Sequence, residues 1–244
     1  MRLNRYLAHC GIASRRKCEQ IVKAGRVTAN NIKILNPFIE IHRDDDVCLD
    51  GRSLCQPEED IVILLNKPAD VISTVSDTHS RKTVMDLVDI NERIFPVGRL
   101  DKDTTGAILL TNNGVLANKL THPRFGVEKI YRITIDKPIL NDDLRKIEKG
   151  VRIGDEEIGQ GNILEVCGDN SDLEWSKNGQ KCEVRVLLTH GKKREVKRIF
   201  SALGYEVLAL HRESFAGISA GDLQSGEWRK LTQAEIEKLQ SKEE

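Results

Sequence analysis

Apolar residues recur at helical spacing at the start of the chain and then give way to short, strand-like runs. Leu3, Leu7 and Cys10 predict a first helix that Gly11 ends. Ser14 predicts the N-cap of a second helix, with Cys18, Ile21 and Val22 on its apolar side and Gly25 as its stop. Val27–Ala29 with a turn at Asn30-Asn31 reads as a hairpin-like segment, and Phe38–Ile41 and Asp46–Leu49 read as further strands. The polar, acidic stretch Gln56-Pro57-Glu58-Glu59-Asp60 marks a linker, which divides the chain into residues 1–55, 56–60 and 61–240. Past the linker, strands are predicted at Ile61–Leu65, Val71–Val75, Gly106–Thr111, Lys129–Ile135, Asn162–Cys167, Cys182–Leu188 and Tyr205–Leu210. Helices are predicted at Thr83–Val88, Val115–Thr121, Asp142–Lys149, Arg194–Leu203 and Gln233–Gln240. The strands outnumber the helices and do not alternate strictly with them. That order favours an α+β fold with a mixed, largely antiparallel sheet over a doubly wound parallel one.

Composition adds exclusions. Hydrophobic residues are 39% of the 244 and charged residues 31%, the balance of an ordinary soluble globular chain. No apolar stretch is long enough for a membrane span or a signal peptide, so a cytoplasmic protein is expected. Cys10, Cys18, Cys48, Cys55, Cys167 and Cys182 form no C-x-x-C pair and match no zinc spacing, so they read as reduced small hydrophobes. There is no dinucleotide fingerprint, no phosphate-binding glycine loop and no histidine ligand pair, and hence no expected cofactor or metal.

The formal net charge is zero, but its distribution is uneven. Up to Lys33 eight lysines and arginines face Glu19 alone, leaving +7 on this module and −7 on the remainder. Arg16 and Lys23, seven apart, share the outward side of the second helix, with Arg15 and Arg26 flanking. A single-sign face of this kind suits phosphate docking.

Three later segments carry candidate chemistry. Pro96-Val97-Gly98-Arg99-Leu100-Asp101-Lys102-Asp103-Thr104-Thr105-Gly106 is a glycine-punctuated loop leading into a strand, where Asp101 or Asp103 serves either as a turn cap or as a reactive carboxylate. In Glu128-Lys129-Ile130-Tyr131-Arg132, period-two alternation puts Tyr131 on the face of Ile133 and Ile135, as a core residue or as a plate for a base. In Gly191-Lys192-Lys193-Arg194-Glu195-Val196-Lys197-Arg198, the stripe Val196, Ile199, Phe200, Leu203 predicts an amphipathic helix with Lys197 at the edge of its apolar side.

Residues 2–31, R-L-N-R-Y-L-A-H-C-G-I-A-S-R-R-K-C-E-Q-I-V-K-A-G-R-V-T-A-N-N, resemble the small RNA-binding domain named after ribosomal small-subunit protein S-four. G-R-L-D with D-T-T-G, E-K-I-Y-R and R-E-V-K-R-I-F-S-A-L-G-Y-E-V-L-A-L-H-R together resemble the RsuA/RluB-like ribosomal RNA pseudouridine synthases over essentially the whole chain. That resemblance implies the pseudouridine synthase fold and cofactor-free isomerisation of uridine. It also implies Asp101 as the catalytic aspartate, Tyr131 as the residue stacking on the target base, and Lys197 as the cation pairing with the aspartate, where many members carry arginine. Arg99 matches the arginine that displaces the target nucleotide. The cations Arg15, Arg16, Lys23, Arg26, Lys192, Lys193, Arg194 and Arg198 are then expected to face RNA, with Asp103 organising the turn. The expected partner of a monomer is ribosomal RNA, free or in a pre-ribosomal particle. V-K-R-I-F and L-H-R-E look like the small-subunit enzyme; S-R-R and L-T-H-P-R-F-G-V-E-K look like the large-subunit enzyme, towards which the balance leans. The rivals are a non-catalytic ribosome-assembly factor and a hydrolase pairing Asp101 with Asp103.

Overall fold

A computed structural model describes residues 1–42, 44–54, 60–167 and 181–241. Cys55 and the expected linker residues 56–59 lie outside the described residues. The chain forms two compact units, one of residues Met1–Ile61, Ile90–Ile94 and Thr111–Val115, the other of the remainder.

In the first unit, α1 (Leu3–His9) and α2 (Arg15–Lys23) bury Leu3, Leu7, Cys18 and Val22 against each other, pairs set four residues apart on each helix. Ser14 caps α2 by accepting the Lys17 N–H at 3.3 Å. β1 (Val27–Ala29) pairs antiparallel with β2 (Ile32–Ile34) and with β3 (Val47–Leu49), and β3 with β4 (Arg52–Ser53). Both hairpins turn on two residues of positive φ, Asn30-Asn31 and Asp50-Gly51, as a tight antiparallel turn requires. Phe38–Ile41 is not a strand: only Glu40 bridges, to Arg2, in a segment broken by Pro37 and a turn.

The second unit is built on a sheet in the order β11 (Asn162–Cys167), β12 (Cys182–Leu188), β8 (Lys129–Ile135), β13 (Val207–Phe215), β7 (Thr105–Thr111), β5 (Val62–Lys67), β15 (Trp228–Lys230). β6 (Phe95–Val97) joins β7, β14 (Ile218–Ser219) joins β13, and β9 (Val151–Arg152) pairs with β10 (Ile158–Gly159) apart from the sheet. β11, β12, β8 and β13 run antiparallel in succession, whereas β13 and β7 are parallel. The mixed, largely antiparallel α+β architecture expected from the element order is present. Glu213 on β13 accepts from Arg132 on β8 and Arg185 on β12, and Arg185 reaches on to Glu165 on β11, so one charged row ties four strands together.

Two apolar clusters flank this sheet. α4 (Asn141–Lys149) and α5 (Glu195–Ala202) bury Ile147, Val196, Ile199 and Phe200 with Ile133, Val184 and Val186. α3 (Gly114–Thr121) and α6 (Gln233–Ser241) bury Leu116, Leu120, Ile236 and Leu239 with Leu64, Leu109 and Phe215. Val71–Val75, expected as a strand, is a loop with one bridge from Ile72 to Thr83: the Ser73 hydroxyl bonds the distant Leu100 backbone, and the Thr74 hydroxyl turns locally to the Ser76 carbonyl. Thr83–Val88, expected as a helix, contributes one 3-10 turn, Val84–Leu87. Tyr205 precedes β13, which runs on to Phe215 through the polar run His211-Arg212-Glu213-Ser214.

The parallel β13–β7 contact sets a strict local demand. Gly106, at φ +104°, faces the Arg212 backbone so closely that a Cβ would stand 2.2 Å from the Arg212 carbonyl oxygen. Gly106→Ala is expected to lower stability by about 2–5 kcal/mol, from backbone strain plus overpacking, in urea denaturation. An unchanged midpoint would show that the two strands separate at no cost.

Candidate active site

Asp101 stands in the loop between β6 and β7, and its backbone neighbours are fastened on both sides. Before it, the buried Ser73 hydroxyl donates to the Leu100 carbonyl at 3.0 Å and accepts the Leu100 N–H at 3.1 Å. After it, the Lys102 carbonyl accepts from Lys67 Nζ at 3.2 Å and from the Asp70 N–H at 2.9 Å. The Asp101 carbonyl itself accepts the Thr104 N–H at 3.1 Å. A glycine of positive φ, Gly98 (+72°), lets the chain enter this turn.

Lys67 has no exposed surface, and burial pushes its ammonium down to about 8 against the pull of Asp103, Asp70 and Asp101. It survives there because Nζ also donates to the Pro68 carbonyl at 2.7 Å.

The Asp101 side chain is one-third exposed and opens into a cleft of about 440 Å³. The cleft is lined by Arg99, Thr104, Tyr131, Arg194, Glu195 and Arg212, among others. Tyr131 is half-buried, packed against Ile133's cluster and open to the cleft, and it lies across the strand pair from Arg212. Lys129, also in the lining, is pushed down to about 8 by burial and by Arg212, with Glu195 opposing.

The cation beside Asp101 is Arg194, with Nε 3.7 Å from Oδ2. Arg194 sits at positive φ immediately before α5, which turns its side chain back over the loop. This corrects the expectation for Lys197, whose ammonium pairs with Asp103 and not with Asp101. The physical reason is helical geometry: Lys197 is almost one turn further along α5 than Arg194, and Asp103 is the carboxylate it meets. That hydrogen bond holds the Asp103 carboxyl below the usual carboxylate range. Asp103 is therefore tied to α5 as well as belonging to the turn.

Other expected cations divide into two groups. Arg99 and Lys193 are exposed at the cleft, and Arg15, Arg16 and Lys23 are exposed on the first unit. Arg198 instead ties α5 to the Ile153 carbonyl and Glu157, Lys192 Nζ donates to the Ile158 carbonyl, and Arg26 pairs with Asp50. These three are held by internal partners, contrary to a purely RNA-facing reading. Sequence reasoning missed Ser73, Thr104, Glu195 and Arg212. A signal existed for Arg212, which shares the period-two face of Leu210 in a strand whose first half alone was expected.

An aspartate on a fastened loop, an aromatic side chain and several cations thus share one cleft. Residues 61–202 match the model of the RNA pseudouridylate synthase family, and residues 1–47 match the S4 domain. The chain belongs to the RNA pseudouridylate synthase family. It is 35% identical over 241 residues to a Ribosomal large subunit pseudouridine synthase B of Bacillus subtilis (strain 168), covering 98% of this chain and 96% of that one. It is 32% identical to Ribosomal small subunit pseudouridine synthase A of Escherichia coli (strain K12), covering 97% and 98%. A solved structure described as a crystal structure of pseudouridylate synthase matches with a TM-score of 0.65 and 25% identity, covering 98% of this chain and 99% of that one.

Two outcomes are expected from the loop. Ser73→Ala removes both fastenings of Leu100 and should lower kcat about tenfold or more with KM nearly unchanged, while Ser73→Thr, which keeps the hydroxyl, restores most of it. Equal kcat in Ser73→Ala and wild type would show that Asp101 needs no such fastening. For Lys67, the folded value of about 8 lies below the ordinary 10.5, so between those pH values the unfolded chain binds the extra proton. The stability of the wild type minus that of Lys67→Met should therefore rise from pH 8 towards pH 10 in urea titrations; a flat difference would contradict the burial argument.

Proposed function

We propose that the protein isomerises uridine to pseudouridine in ribosomal RNA, with Asp101 as the reacting carboxylate and large-subunit RNA as the target. The observation that carries the reading is Asp101 itself, fastened through its backbone neighbours while its carboxylate faces a cleft walled by Tyr131 and cations. Isomerisation breaks the bond from uracil N1 to C1′ and makes one from C5 to C1′, while C5 loses a proton to solvent and N1 gains one. The exchange is redox-neutral and consumes no other reactant, which suits a carboxylate acting as nucleophile or base at the sugar or the ring. Arg194, largely exposed, keeps a positive charge near that carboxylate and remains able to meet phosphate.

Reaching the uridine requires taking it out of its stack, and Tyr131 offsets part of that cost; base–aromatic stacking is worth ~1–3 kcal/mol. Arg99 takes the space the nucleotide leaves, a reading supported by its exposure at the same cleft. On the first unit, Arg15, Arg16 and Lys23 provide an unpaired basic face, among the described residues, for docking RNA, free or in a pre-ribosomal particle. No described helix is long and apolar enough to cross a membrane. A cytoplasmic monomer is the form in which we expect it to act. The large-subunit assignment is supported by the S-R-R and L-T-H-P-R-F-G-V-E-K stretches and by the 35% relative named for that subunit.

The test is release of tritium from ribosomal RNA labelled at uridine C5, followed by mapping of the modified position. Release with a site in large-subunit RNA supports the proposal, a site in small-subunit RNA overturns the target, and no release from free or partly assembled RNA favours a binding factor. Replacing Arg15 and Arg16 with alanine should weaken RNA binding and reduce its log–log salt slope by about 1–2. An unchanged slope would move the docking surface elsewhere.

A further inference from the structure

Two buried charged groups line the cleft and are not used by the chemistry above. Glu195, 4% exposed, accepts the Lys192 N–H through Oε2 at 2.9 Å, while its Oε1 is buried without a hydrogen-bond partner. Arg212, 2% exposed, donates from Nε to the Ala107 carbonyl at 2.7 Å, while its Nη2 is buried without one. Buried polar atoms are almost always paired, and a lone one costs about 1–3 kcal/mol or more when charged. Here one unpaired acceptor and one unpaired donor line the same cleft as Asp101 and Tyr131. Arg212 is the cross-strand neighbour of Tyr131, so the two side chains leave the sheet on one face. Glu195 opens α5 one residue after Arg194, the cation beside Asp101. Both side chains act on the same buried Lys129 ammonium at this cleft, Arg212 pressing it down and Glu195 opposing, so a ligand carrying a donor and an acceptor side by side is the kind that would suit them.

We propose that Glu195 and Arg212 read the edge of the target base. Glu195 Oε1 accepts the uracil N3–H, and Arg212 Nη2 donates to a carbonyl oxygen beside it. The inference rests on the reading that uridine enters this cleft. Uracil presents O2, N3–H and O4 in a row, an acceptor–donor–acceptor edge that is symmetric about the line through N3 and C6. Bringing C5 to the place of N1 is a half-turn about that line, and it exchanges O2 with O4. A pair that grips N3–H and one flanking oxygen therefore fits the ring equally well before and after it turns. Glu195 can hold N3–H on the axis of the turn while the bond to the sugar is absent, and Arg212 exchanges one oxygen for the other. Cytosine in the same place sets an unprotonated N3 against Glu195, leaving that carboxylate without its donor, and on the C4 side it would also set an amine against Arg212. Sites built on buried hydrogen-bonding groups reject such mismatches strongly.

The test compares RNA carrying uridine or 3-methyluridine at the mapped position, each tritiated at C5. Failure of the wild type on uridine would overturn the synthase reading itself, separately from the pair. With uridine turned over, the wild type should prefer it to 3-methyluridine by about 100-fold or more in kcat/KM. Glu195→Ala should slow uridine at least about tenfold and shrink the preference below about tenfold, because the group that requires N3–H is gone. Arg212→Lys, which keeps a cation and loses Nη2, should slow uridine about tenfold without changing RNA affinity. If Glu195→Ala does not fold, Glu195→Asp, which draws the carboxylate back by one methylene, serves for the same comparison. A preference equal to wild type in a folded Glu195 variant, with both substrates slowed alike, would show a structural role and overturn the proposal.

Discussion

The Leu100 and Lys102 backbones are each hydrogen-bonded to groups from the segment that follows β5, and Asp101 stands between them. Everything else in the site depends on that fastening. A carboxylate contributes to a bond exchange only if it is already where the reacting atom will be, and a loop free to move would lose most of that advantage. The cost is visible in Lys67, a lysine with no exposed surface, which the fold retains because its ammonium holds Pro68 and Lys102 carbonyls. The other end of the loop is anchored by Gly106, whose missing side chain lets β7 lie against the backbone of β13. One parallel strand pair thus brings Asp101, from the loop before β7, into one cleft with Arg212 on β13 and Tyr131 on β8.

Charge in the site is divided between fixed and available groups. Lys197–Asp103 and Arg198–Glu157 tie α5 to the loop of Asp103 and to the β9–β10 hairpin. Arg194, Lys193 and Arg99 stay exposed around the opening, where a phosphate backbone can approach. Deeper in, Lys129, Glu195 and Arg212 form a buried group in which Arg212 presses the Lys129 ammonium down and Glu195 opposes it. On the proposed function, the exposed cations serve affinity and the buried ones serve the shape and polarity of the base site.

Elements whose cues are local were legible from sequence. The Ser14 cap, the Leu3–Leu7 and Cys18–Val22 pairs, the Asn30-Asn31 turn and the alternation of β8 and β12 all depend on residues within a few positions of one another. The loop carrying Asp101 stood out because its glycines and aspartates adjoin an apolar strand. Partnerships across long separations were not legible. Lys197 lies 94 residues from Asp103, and the packing of α5 against the loop before β7, not any local cue, decides which carboxylate each cation meets. Ser73 looked like part of a strand because Val71, Ile72 and Val75 are β-branched, yet its hydroxyl finds a closer partner in Leu100. Glu195 and Arg212 were hidden among neighbours read as a solvated helix edge and a strand end; their burial follows from tertiary packing alone.

The most direct test of the account places asparagine at position 101 and follows both RNA binding and tritium release from C5-labelled ribosomal RNA in a single turnover. The substitution keeps size and shape, turns one acceptor oxygen into an amide donor, and removes the charge and nucleophilicity of the carboxylate. The account predicts unchanged affinity with release abolished. Appreciable release from Asp101→Asn would contradict it, because the group held so firmly by Leu100 and Lys102 would then not be the one that reacts.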